Sequence, residues 1–507
     1  MNTVIPWSGA LATQAHHFGD LPSIGDGRNE LSYRALAEKA SRLGEMLLAM
    51  GVKPGEPVAT FLRNGIPALW ASYGIKVSSA AETPLNPALS PEERRYCIGL
   101  IKLKRVVTTK AEAPFFRDQG VRAIAIEEVP ETPGDLARLP PAPGEAWGRV
   151  SFTSGTTGRP KAIVQNHAAR WIANLMQRAT FTHTPAPGSR VLLMTPFTHG
   201  ASLIAFAFLD YGAMSVLLDG VDLPNVERLL SARAIDHIFA PPTVLAKITG
   251  AFAGRQFPGI RVIFTGTQVL PPALYEKARA MFGPVVRVTY GKSEVVNPIA
   301  VLPPDATDRY YREERHSEGA CVGWPGPGVE IELRREDGAR CTPNETGEVH
   351  LRAVHMLAGH IDETGFHALP PGGFHATGDL GRIDAQGRLH LLGRTADVIK
   401  SGGYKIHPDE IERALAGSAE SVTVTTLPSE YWGEVIVAAA ENAPQDWETQ
   451  ARAAAEALAK YKWPRAYLSF AELPRNPQGK VPRAKLRAMI LERWRLVDGP
   501  HPKLEER

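Results

Sequence analysis

Hydrophobic and polar positions along residues 1–125 alternate between two periodicities. Apolar residues recur at helical spacing from Tyr33 to Met50, and Gly51 follows as a stop signal. The run from Pro57 to Leu62 is nearly all apolar and predicts a buried strand, and Ile66 to Ser79 returns to helical spacing. Strands that alternate with helices predict a layered sheet with helices on its faces.

The same rhythm returns after residue 190 and then gives way to β structure. Short apolar runs predict four strands with helical stretches between them, at Val191–Met194, Ser215–Leu218, His237–Ala240 and Val262–Phe264. Residues 320–395 hold short strand-like runs between Gly, Pro and Asp turns. We therefore predict an α/β protein whose large N-terminal domain, residues 1–395, combines layered α/β subdomains with a small β region. A small, mobile α+β C-terminal domain, residues 396–507, follows it, with helices predicted at 408–415 and 448–460.

Composition excludes several classes of protein. The chain has 507 residues, enough for two to four folding units, with 44% hydrophobic and 22% charged residues. A net charge of +3 gives no reason to expect nucleic acid or an anionic membrane as a partner. The three cysteines match no zinc or redox spacing, which fits inert buried thiols in a reducing cytosol. The N-terminus lacks a signal-peptide pattern, and no run of about 18 apolar residues predicts a membrane span. We predict a cytoplasmic location and leave the oligomeric state open.

One segment has the composition of a loop that holds phosphates: Ser154-Gly155-Thr156-Thr157-Gly158-Arg159-Pro160-Lys161. Glycines let backbone N–H groups approach oxygens, the hydroxyls add donors, and Lys161 adds a point charge. The alternative is a polar linker, but linkers do not usually lie between an apolar strand and Lys161-Ala162-Ile163-Val164. The Walker pattern is absent, because Pro160 precedes the lysine and Ala162 follows it.

Four further segments place reactive side chains at turns. Phe197-Thr198-His199-Gly200 follows a strand, where the His-Gly pair either borders a pocket or only caps a turn. In 289–294 an aromatic ring can stack on a base, Ser293 can donate to a phosphate, and the Glu294 carboxylate can ligate magnesium. An aspartate such as Asp379 can accept two hydrogen bonds from a ribose diol. Lys480 lies on a Pro- and Gly-rich turn, which by itself indicates only a solvated lysine.

The segment 151–167, SFTSGTTGRPKAIVQNH, resembles the signature loop of the adenylate-forming (ANL) superfamily of acyl-CoA synthetases and AMP-dependent synthetases and ligases. The other motifs follow in that family's order, and the resemblance extends from about 31 to 486. It implies ATP, Mg²⁺ and coenzyme A as cofactors and a small-molecule carboxylic acid as substrate. The implied nucleotide contacts come from Ser154, Gly155, Thr156, Thr157, Gly158, Lys161, Tyr290, Gly291, Ser293, Asp379 and Arg394.

The resemblance also implies the remaining site residues. Lys480, Glu294 and His199 would be catalytic, with Glu294 holding Mg²⁺, and Gly402, Gly403 and Tyr404 would contact coenzyme A. The implied acyl pocket consists of Phe239, Thr267, Gln268, Thr289, Gly291, Val296 and Asn297. The family usually has Asp or Lys at the hinge position occupied here by Ala396, so the hinge is either Ala396 or the adjacent Asp397.

The resemblance implies a two-step reaction. The acid attacks the α-phosphate of ATP and releases pyrophosphate, and a thiol then attacks the acyl-adenylate and releases AMP. We expect coenzyme A as the acceptor, because no carrier domain follows Lys480 in this sequence. The alternatives are a stand-alone enzyme that loads a carrier protein and an inactive scaffold with the same fold. The partly polar pocket favours a small-to-medium or aromatic acid over a long fatty chain. Lys292 could pair with a second carboxylate, but it is expected at the surface.

Overall fold

The computed structural model describes residues 3–153, 161–295, 298–313, 319–370, 372–476 and 480–507, without the side chains of Thr153 and Lys405. Seven predicted site residues lie outside this part of the chain: Ser154, Gly155, Thr156, Thr157, Gly158, Val296 and Asn297.

The helices begin at residues suited to a helix start. Ser32 accepts a hydrogen bond from the backbone of Ala35, and Ser90 forms a reciprocal capping box with Glu93. Within the described residues the helices are α1 Trp7–Phe18, α2 Tyr33–Ala49, α3 Ile66–Val77, α4 Pro91–Leu100, α5 Ala113–Asp118, α6 His167–Ala179, α7 Gly200–Leu209, α8 Leu223–Ser231, α9 Pro242–Ala251, α10 Pro272–Phe282, α11 Pro304–Glu313, α12 Pro408–Leu415, α13 Trp447–Ala455 and α14 Arg483–Arg493.

The strands are mostly short and end at Gly, Pro or polar residues. They are β1 Val4–Ile5, β2 Pro22–Gly25, β3 Glu30–Ser32, β4 Pro57–Thr60, β5 Ala81–Pro84, β6 Arg105–Thr108, β7 Arg122–Ala125, β8 Ala142–Pro143, β9 Trp147–Thr153, β10 Lys161–Asn166, β11 Arg190–Leu193, β12 Met214–Leu217, β13 His237–Phe239, β14 Val262–Gly266 and β15 Val286–Tyr290. The chain continues with β16 Ala300–Leu302, β17 Ala320–Pro325, β18 Val329–Arg334, β19 Gly347–Ala353, β20 Gly359–Asp362, β21 Gly365–Ala368, β22 His375–Ile383, β23 Leu389–Arg394, β24 Ile399–Ser401, β25 Tyr404–Ile406, β26 Ser421–Ser429, β27 Gly433–Glu441, β28 Ala466–Phe470, β29 Trp494–Val497 and β30 Lys503–Glu506.

Two large sheets form most of the chain before residue 395. One has eight strands in the order β21-β20-β10-β9-β5-β4-β6-β7, and the other has thirteen in the order β18-β19-β22-β23-β17-β16-β15-β14-β13-β11-β12-β2-β3. In the second sheet β12, β11, β13, β14 and β15 are all parallel. Their carboxyl ends therefore lie along one edge, which is where open α/β sheets bind ligands.

The strands of this parallel region are buried on both faces. In β15, Val286 and Val288 pack into one hydrophobic cluster, as do Ile238 of β13 and Ile263 of β14. The alternate residues Phe239 and Phe264 pack into a second cluster on the opposite face, with α7. Arg287 and Thr289 alternate with the two valines, so they point to the second face.

A separate five-stranded sheet follows residue 395, with β25, β24, β27 and β26 in order and β28 beside β27. Its two faces are covered by α12 and α13 on one side and by α14 on the other. The predicted fold class is confirmed by this α+β unit and the layered α/β sheets before it. No helix in the described part of the chain is both long and apolar enough to cross a membrane.

Several details differ from the sequence-based prediction. Helix α13 ends at Ala455 rather than at 460, because its last turn tightens into bonds from Ala457 to Ala454 and from Leu458 to Ala455. The final helix is followed by an unpredicted hairpin of β29 and β30. Cys97 and Cys321 are buried as expected, whereas Cys341 is only half-buried beside the Thr346 carbonyl.

Candidate active site

The predicted acyl-pocket residues lie at the carboxyl ends of neighbouring parallel strands. Phe239 ends β13, Thr267 and Gln268 follow β14, and Thr289 is the penultimate residue of β15. Phe239 and Thr289 are buried, Gln268 is half-buried and Thr267 is exposed. The topology thus brings four residues from three distant segments to a single edge of the sheet.

Close backbone approaches shape this edge. A Cβ atom on Gly266 would lie 2.4 Å from the Thr289 carbonyl oxygen, so only glycine lets β14 and β15 approach so closely here. A Cβ atom on Gly200 would lie 2.9 Å from the Phe239 ring. Thr267 adopts a φ of +68°, which is uncommon for a β-branched residue. Backbone strain of this kind is concentrated at ligand-binding sites.

His199 lies immediately before α7, and Ser202 hydrogen-bonds back to its carbonyl oxygen. Burial, aided by the charge of Arg149, lowers the pKa of His199 to about 4, so the imidazole is neutral at pH 7. Its Nε2 atom is buried and has no hydrogen-bond partner among the described residues. A neutral imidazole with an unused nitrogen can form a hydrogen bond with a ligand without adding charge.

A group of charged and polar side chains surrounds one carboxylate, and we call it the Asp379 cluster: Asp379, Tyr290, Lys292 and Arg394. The Tyr290 hydroxyl donates to Asp379 Oδ2, and Lys292 Nζ lies 3.2 Å from the same oxygen. Arg394 Nε lies 3.4 Å from Oδ1, and Asp379 faces Arg394 across the β22–β23 ladder. The Asp379 carboxylate is therefore held in one orientation while part of it stays accessible.

The expectation that Lys292 is a surface side chain is wrong. Its side chain is only 12% exposed, and its ammonium donates to the Thr377 carbonyl at 2.6 Å as well as contacting Asp379. The Thr377 hydroxyl in turn accepts from the Asp379 backbone at 3.0 Å. Burial and the Asp379 charge raise the pKa of Tyr290, so its hydroxyl remains a donor at neutral pH.

Lys480 lies within electrostatic range of the Asp379 cluster. Its backbone N–H donates to the Asn476 side chain at 2.9 Å. Burial and then the charge of Arg394 lower the pKa of its ammonium, and Asp379 opposes the shift. Lys480 thus comes from the C-terminal part of the chain to a carboxylate on β22.

The segment after β15 is tied to the hairpin that carries the predicted phosphate loop. Gln165 of β10 donates to the Ser293 carbonyl at 2.9 Å, and Leu357 donates to the Glu294 carbonyl at 2.8 Å. Lys161 is exposed at the start of β10, Ser293 is also exposed, and Gly291 is half-buried. The half-buried Glu294 carboxylate has no ion-pair or hydrogen-bond partner among the described residues. A carboxylate on a segment that is tied to β10 fits the oxygen ligands that Mg²⁺ prefers.

The predicted coenzyme A residues form the exposed turn of the β24–β25 hairpin. Gly402 and Gly403 have φ values of +57° and +84°, and Tyr404 is 52% exposed. The Gly402 N–H donates to the Trp432 carbonyl at 2.8 Å, whereas a Cβ atom on Gly403 would meet open space. The hairpin therefore offers bare backbone at Gly403.

The two hinge candidates have different surroundings. Ala396 is exposed in a short 3₁₀ turn, whereas the Asp397 carboxylate lies 2.7 Å from Arg483 of α14. Arg483 also pairs with Asp409 and Glu412 of α12. Asp397 is thereby fixed to the C-terminal unit, and Ala396 is the less constrained of the two.

Sequence reasoning missed two residues of this site. Thr377 belongs to the recognised Thr-Gly-Asp motif that ends at Asp379, but it was given no role, because its role depends on Lys292, which is 85 residues away in the chain. Arg287 is a fully buried arginine whose guanidinium donates to Thr289. The available signal was a charged residue inside the apolar run of β15, at a position that alternates with two valines.

The site combines a parallel-strand edge that carries the predicted acyl-pocket residues with a carboxylate suited to a ribose and a lysine suited to phosphate. These features define an AMP-forming acid–thiol ligase, of the class that uses ATP, Mg²⁺ and coenzyme A. The model of the AMP-binding enzyme family matches residues 11–360, and the chain belongs to this family. The family identified from the motifs is thereby confirmed.

Similar proteins cover nearly the whole chain. The 2-succinylbenzoate–CoA ligase of Bacillus licheniformis is 29% identical over 494 residues, covering 94% of this chain and 98% of that protein. The sulfoacetate–CoA ligase of Cupriavidus necator is 28% identical over 504 residues, covering 94% and 96%. The structure of O-succinylbenzoate coenzyme A synthetase from Bacillus subtilis with ATP and magnesium ion has a TM-score of 0.82 at 25% identity, covering 94% of this chain and 98% of that one.

Proposed function

We propose that the chain is an ATP-dependent carboxylate–CoA ligase that forms an acyl-adenylate and then an acyl-CoA thioester, acting on a small-to-medium or aromatic acid. The observation that carries this proposal is the convergence of Lys480 on the Asp379 cluster beside the acyl-pocket edge. Both acids named for the similar ligases, 2-succinylbenzoate and sulfoacetate, are small or aromatic. Neither of these acids has a long fatty chain.

In the first step the carboxylate of the acid attacks the α-phosphorus of ATP, and the bond to pyrophosphate breaks. Negative charge builds on the phosphate oxygens, where fixed donors and cations stabilise it most. Lys480 supplies a cation, and Ser154, Thr156, Thr157 and Lys161 would hold the leaving phosphates together with the backbone of Gly155 and Gly158. Mg²⁺ on Glu294 would neutralise phosphate charge.

The orientation of both substrates follows from the rest of the site. Asp379 accepts from the ribose hydroxyls, since Tyr290 and Lys292 fix one of its oxygens and leave the other less crowded. Ser293, Gly291 and Arg394 line the same nucleotide side. His199, neutral and with Nε2 unused, donates one hydrogen bond to the acid, and Phe239, Thr267, Gln268, Thr289, Val296 and Asn297 surround its chain.

In the second step the thiol of coenzyme A attacks the acyl carbonyl, the bond to the AMP phosphate oxygen breaks, and AMP leaves. Gly402, Gly403 and Tyr404 would accommodate the pantetheine arm, because Gly403 has no side chain and open space beside it. This requires Lys480 and the β24–β25 hairpin to exchange places, with Ala396 as the pivot. A carrier-bound thiol is the alternative acceptor.

The test separates the two steps at Lys480. Lys480→Ala should lower acid-dependent pyrophosphate release by at least about 100-fold, because it removes the cation that stabilises the phosphate charge. Thioester formation from a preformed acyl-adenylate should stay within about threefold of the wild-type rate. Lys485→Ala, at an exposed lysine on α14, is the matched control. Equal loss of both steps would contradict the proposal that Lys480 and the β24–β25 hairpin exchange places. The absence of pyrophosphate release with every carboxylic acid tested would indicate an inactive scaffold.

A further inference from the structure

Arg287 is a fully buried arginine in the middle of β15. Its Nη1 donates to the Thr289 hydroxyl and its Nη2 to the Thr180 hydroxyl, both at 2.8 Å. Its Nε is buried without a hydrogen-bond partner among the described residues. A guanidinium has five N–H donors, so most of its hydrogen-bonding capacity is unused.

No carboxylate in the described part of the chain neutralises the charge of Arg287 or forms an ion pair with it. Burial alone lowers the pKa of its guanidinium, to about 9. The guanidinium carbon lies 5.2 Å from the centre of the Phe264 ring, an aromatic and not an anionic contact. Buried charges are normally paired, since an isolated charge away from water is strongly unfavourable.

The guanidinium lies beneath the strand ends that carry the predicted acyl-pocket residues. Arg287 and Thr289 share one face of β15, and the bond to Thr289 directs the guanidinium toward the carboxyl end of the strand. Phe264 is the neighbour of Arg287 on β14, and Gly266 is the neighbour of Thr289. Thr180, just after α6, accepts the second hydrogen bond. Arg287 is therefore linked through Thr289 to the sheet edge that is predicted to bind the acid.

We propose that Arg287 binds a second anionic group of the substrate, so that the enzyme selects acids that carry another carboxylate or a sulfonate besides the carboxylate that reacts. This inference rests on the proposed ligase function and narrows its substrate class. The second anion would neutralise the buried guanidinium and accept its unused N–H groups, as planar bidentate pairs do. A neutral acid tail would leave the charge uncompensated, which disfavours it.

The experiment compares acids that differ in a single anionic group, by pyrophosphate release with ATP and Mg²⁺. One pair is 2-succinylbenzoate and 4-oxo-4-phenylbutanoate, and the other is sulfoacetate and propanoate. The wild-type protein should have the higher kcat/KM for the dianionic member of at least one pair, and that pair shows whether carboxylate or sulfonate is preferred. Arg287→Met should lower this kcat/KM by at least about 100-fold and change that of the monoanionic acid by less than about threefold.

Two variants keep the result interpretable. Arg287→Lys retains the charge without the planar fork and should lower dianion turnover by about tenfold, so it decides the question if the methionine variant does not fold. Arg452→Met, at an arginine 55% exposed on α13, should change neither acid. Preference of the wild type for monoanionic acids, or equal loss on both acids in either Arg287 variant, would overturn the inference and leave the ligase function standing. The absence of pyrophosphate release with these acids and with every other acid of a broad carboxylate panel would overturn the ligase function itself.

Discussion

Two buried arginines of this protein, Arg149 and Arg287, have opposite electrostatic surroundings. Arg149 of β9 is 3% exposed and pairs with Glu82 at 2.9 Å, while its other nitrogens donate to Ser151 and to the Thr198 carbonyl. Arg287 of β15 is equally buried, and its two hydrogen-bond partners within the described segments are hydroxyls. Both arginines lose their hydration on folding, and among the residues that the structure describes an anion compensates Arg149 but not Arg287.

From this difference we infer that Arg149 has a structural role and that Arg287 binds a ligand. Glu82 is contacted by Ser72, Lys76 and Arg149, so its carboxylate is fully engaged. Through Arg149 this network holds the Thr198 carbonyl, one residue before His199. Glu82 and Arg149 thus position the His199 segment, whereas Arg287 faces the acid and acts on it directly.

The largest change in stability is expected when the anion of the Glu82–Arg149 pair is removed. Glu82→Gln should destabilise the protein by about 3–5 kcal/mol, because Arg149 is left as a buried charge without a counter-ion. Chemical denaturation monitored by circular dichroism measures the change. Glu448→Gln, which breaks an exposed pair with Arg452, should cost no more than about 0.5 kcal/mol. A similar small loss at Glu82 would contradict the structural role of the pair.

Lowering the pH should gradually remove the stability that the ionised Glu82 carboxylate contributes. Despite burial, the charges of Arg149 and Lys76 lower the pKa of Glu82 from 4.5 to about 2. A lowered carboxylate pKa contributes stability that is present above pH 4.5 and lost as the pH falls toward 2, about 3 kcal/mol in all. The difference in unfolding free energy between wild type and Glu82→Gln should therefore be constant above pH 5 and shrink below pH 4.5. A difference that persists at pH 2.5 would refute the assigned ionisation.

The smallest expected change in stability is at Arg287. Arg287→Met should alter the unfolding free energy by less than about 1 kcal/mol, or raise it, because an apolar side chain of similar length replaces an uncompensated charge. The identical change at Arg149 should cost several kcal/mol, since it leaves Glu82 buried and unpaired. Thermal unfolding of both variants without substrate makes the comparison. Equal losses at the two positions would show that Arg287 is structural.

Much of the fold could be predicted from the sequence, because parallel strands buried on both faces appear as continuous apolar runs. The predicted helix at 408–415 coincides with α12, and the runs around 191, 215, 237 and 262 all form strands. The β29–β30 hairpin was missed because β29 begins directly after α14 with no turn residue between them, and β30 carries a single apolar residue, Leu504. Helix ends depend on local hydrogen bonds that periodicity does not specify.

The candidate site could be predicted where a motif is contiguous, as around Tyr290 and Asp379. It could not be predicted where the contact depends on tertiary structure. Lys292 was expected in solvent because a lysine is usually solvated, and only the approach of β22 buries it against Asp379. Arg287 was passed over for the same reason, since burial without a counter-ion is visible only when the surrounding elements are in place.

The close approach of Gly266 to the Thr289 carbonyl limits how this enzyme could be redesigned. Any larger side chain at Gly266 would have to displace the backbone of β15, since the obstacle is a carbonyl oxygen and not a movable side chain. Specificity engineering therefore has to proceed through residues that project into free space, such as Thr267 and Gln268, or through the charge at Arg287. Mutational libraries that hold Gly266 constant should yield a larger fraction of folded variants than libraries that randomise it.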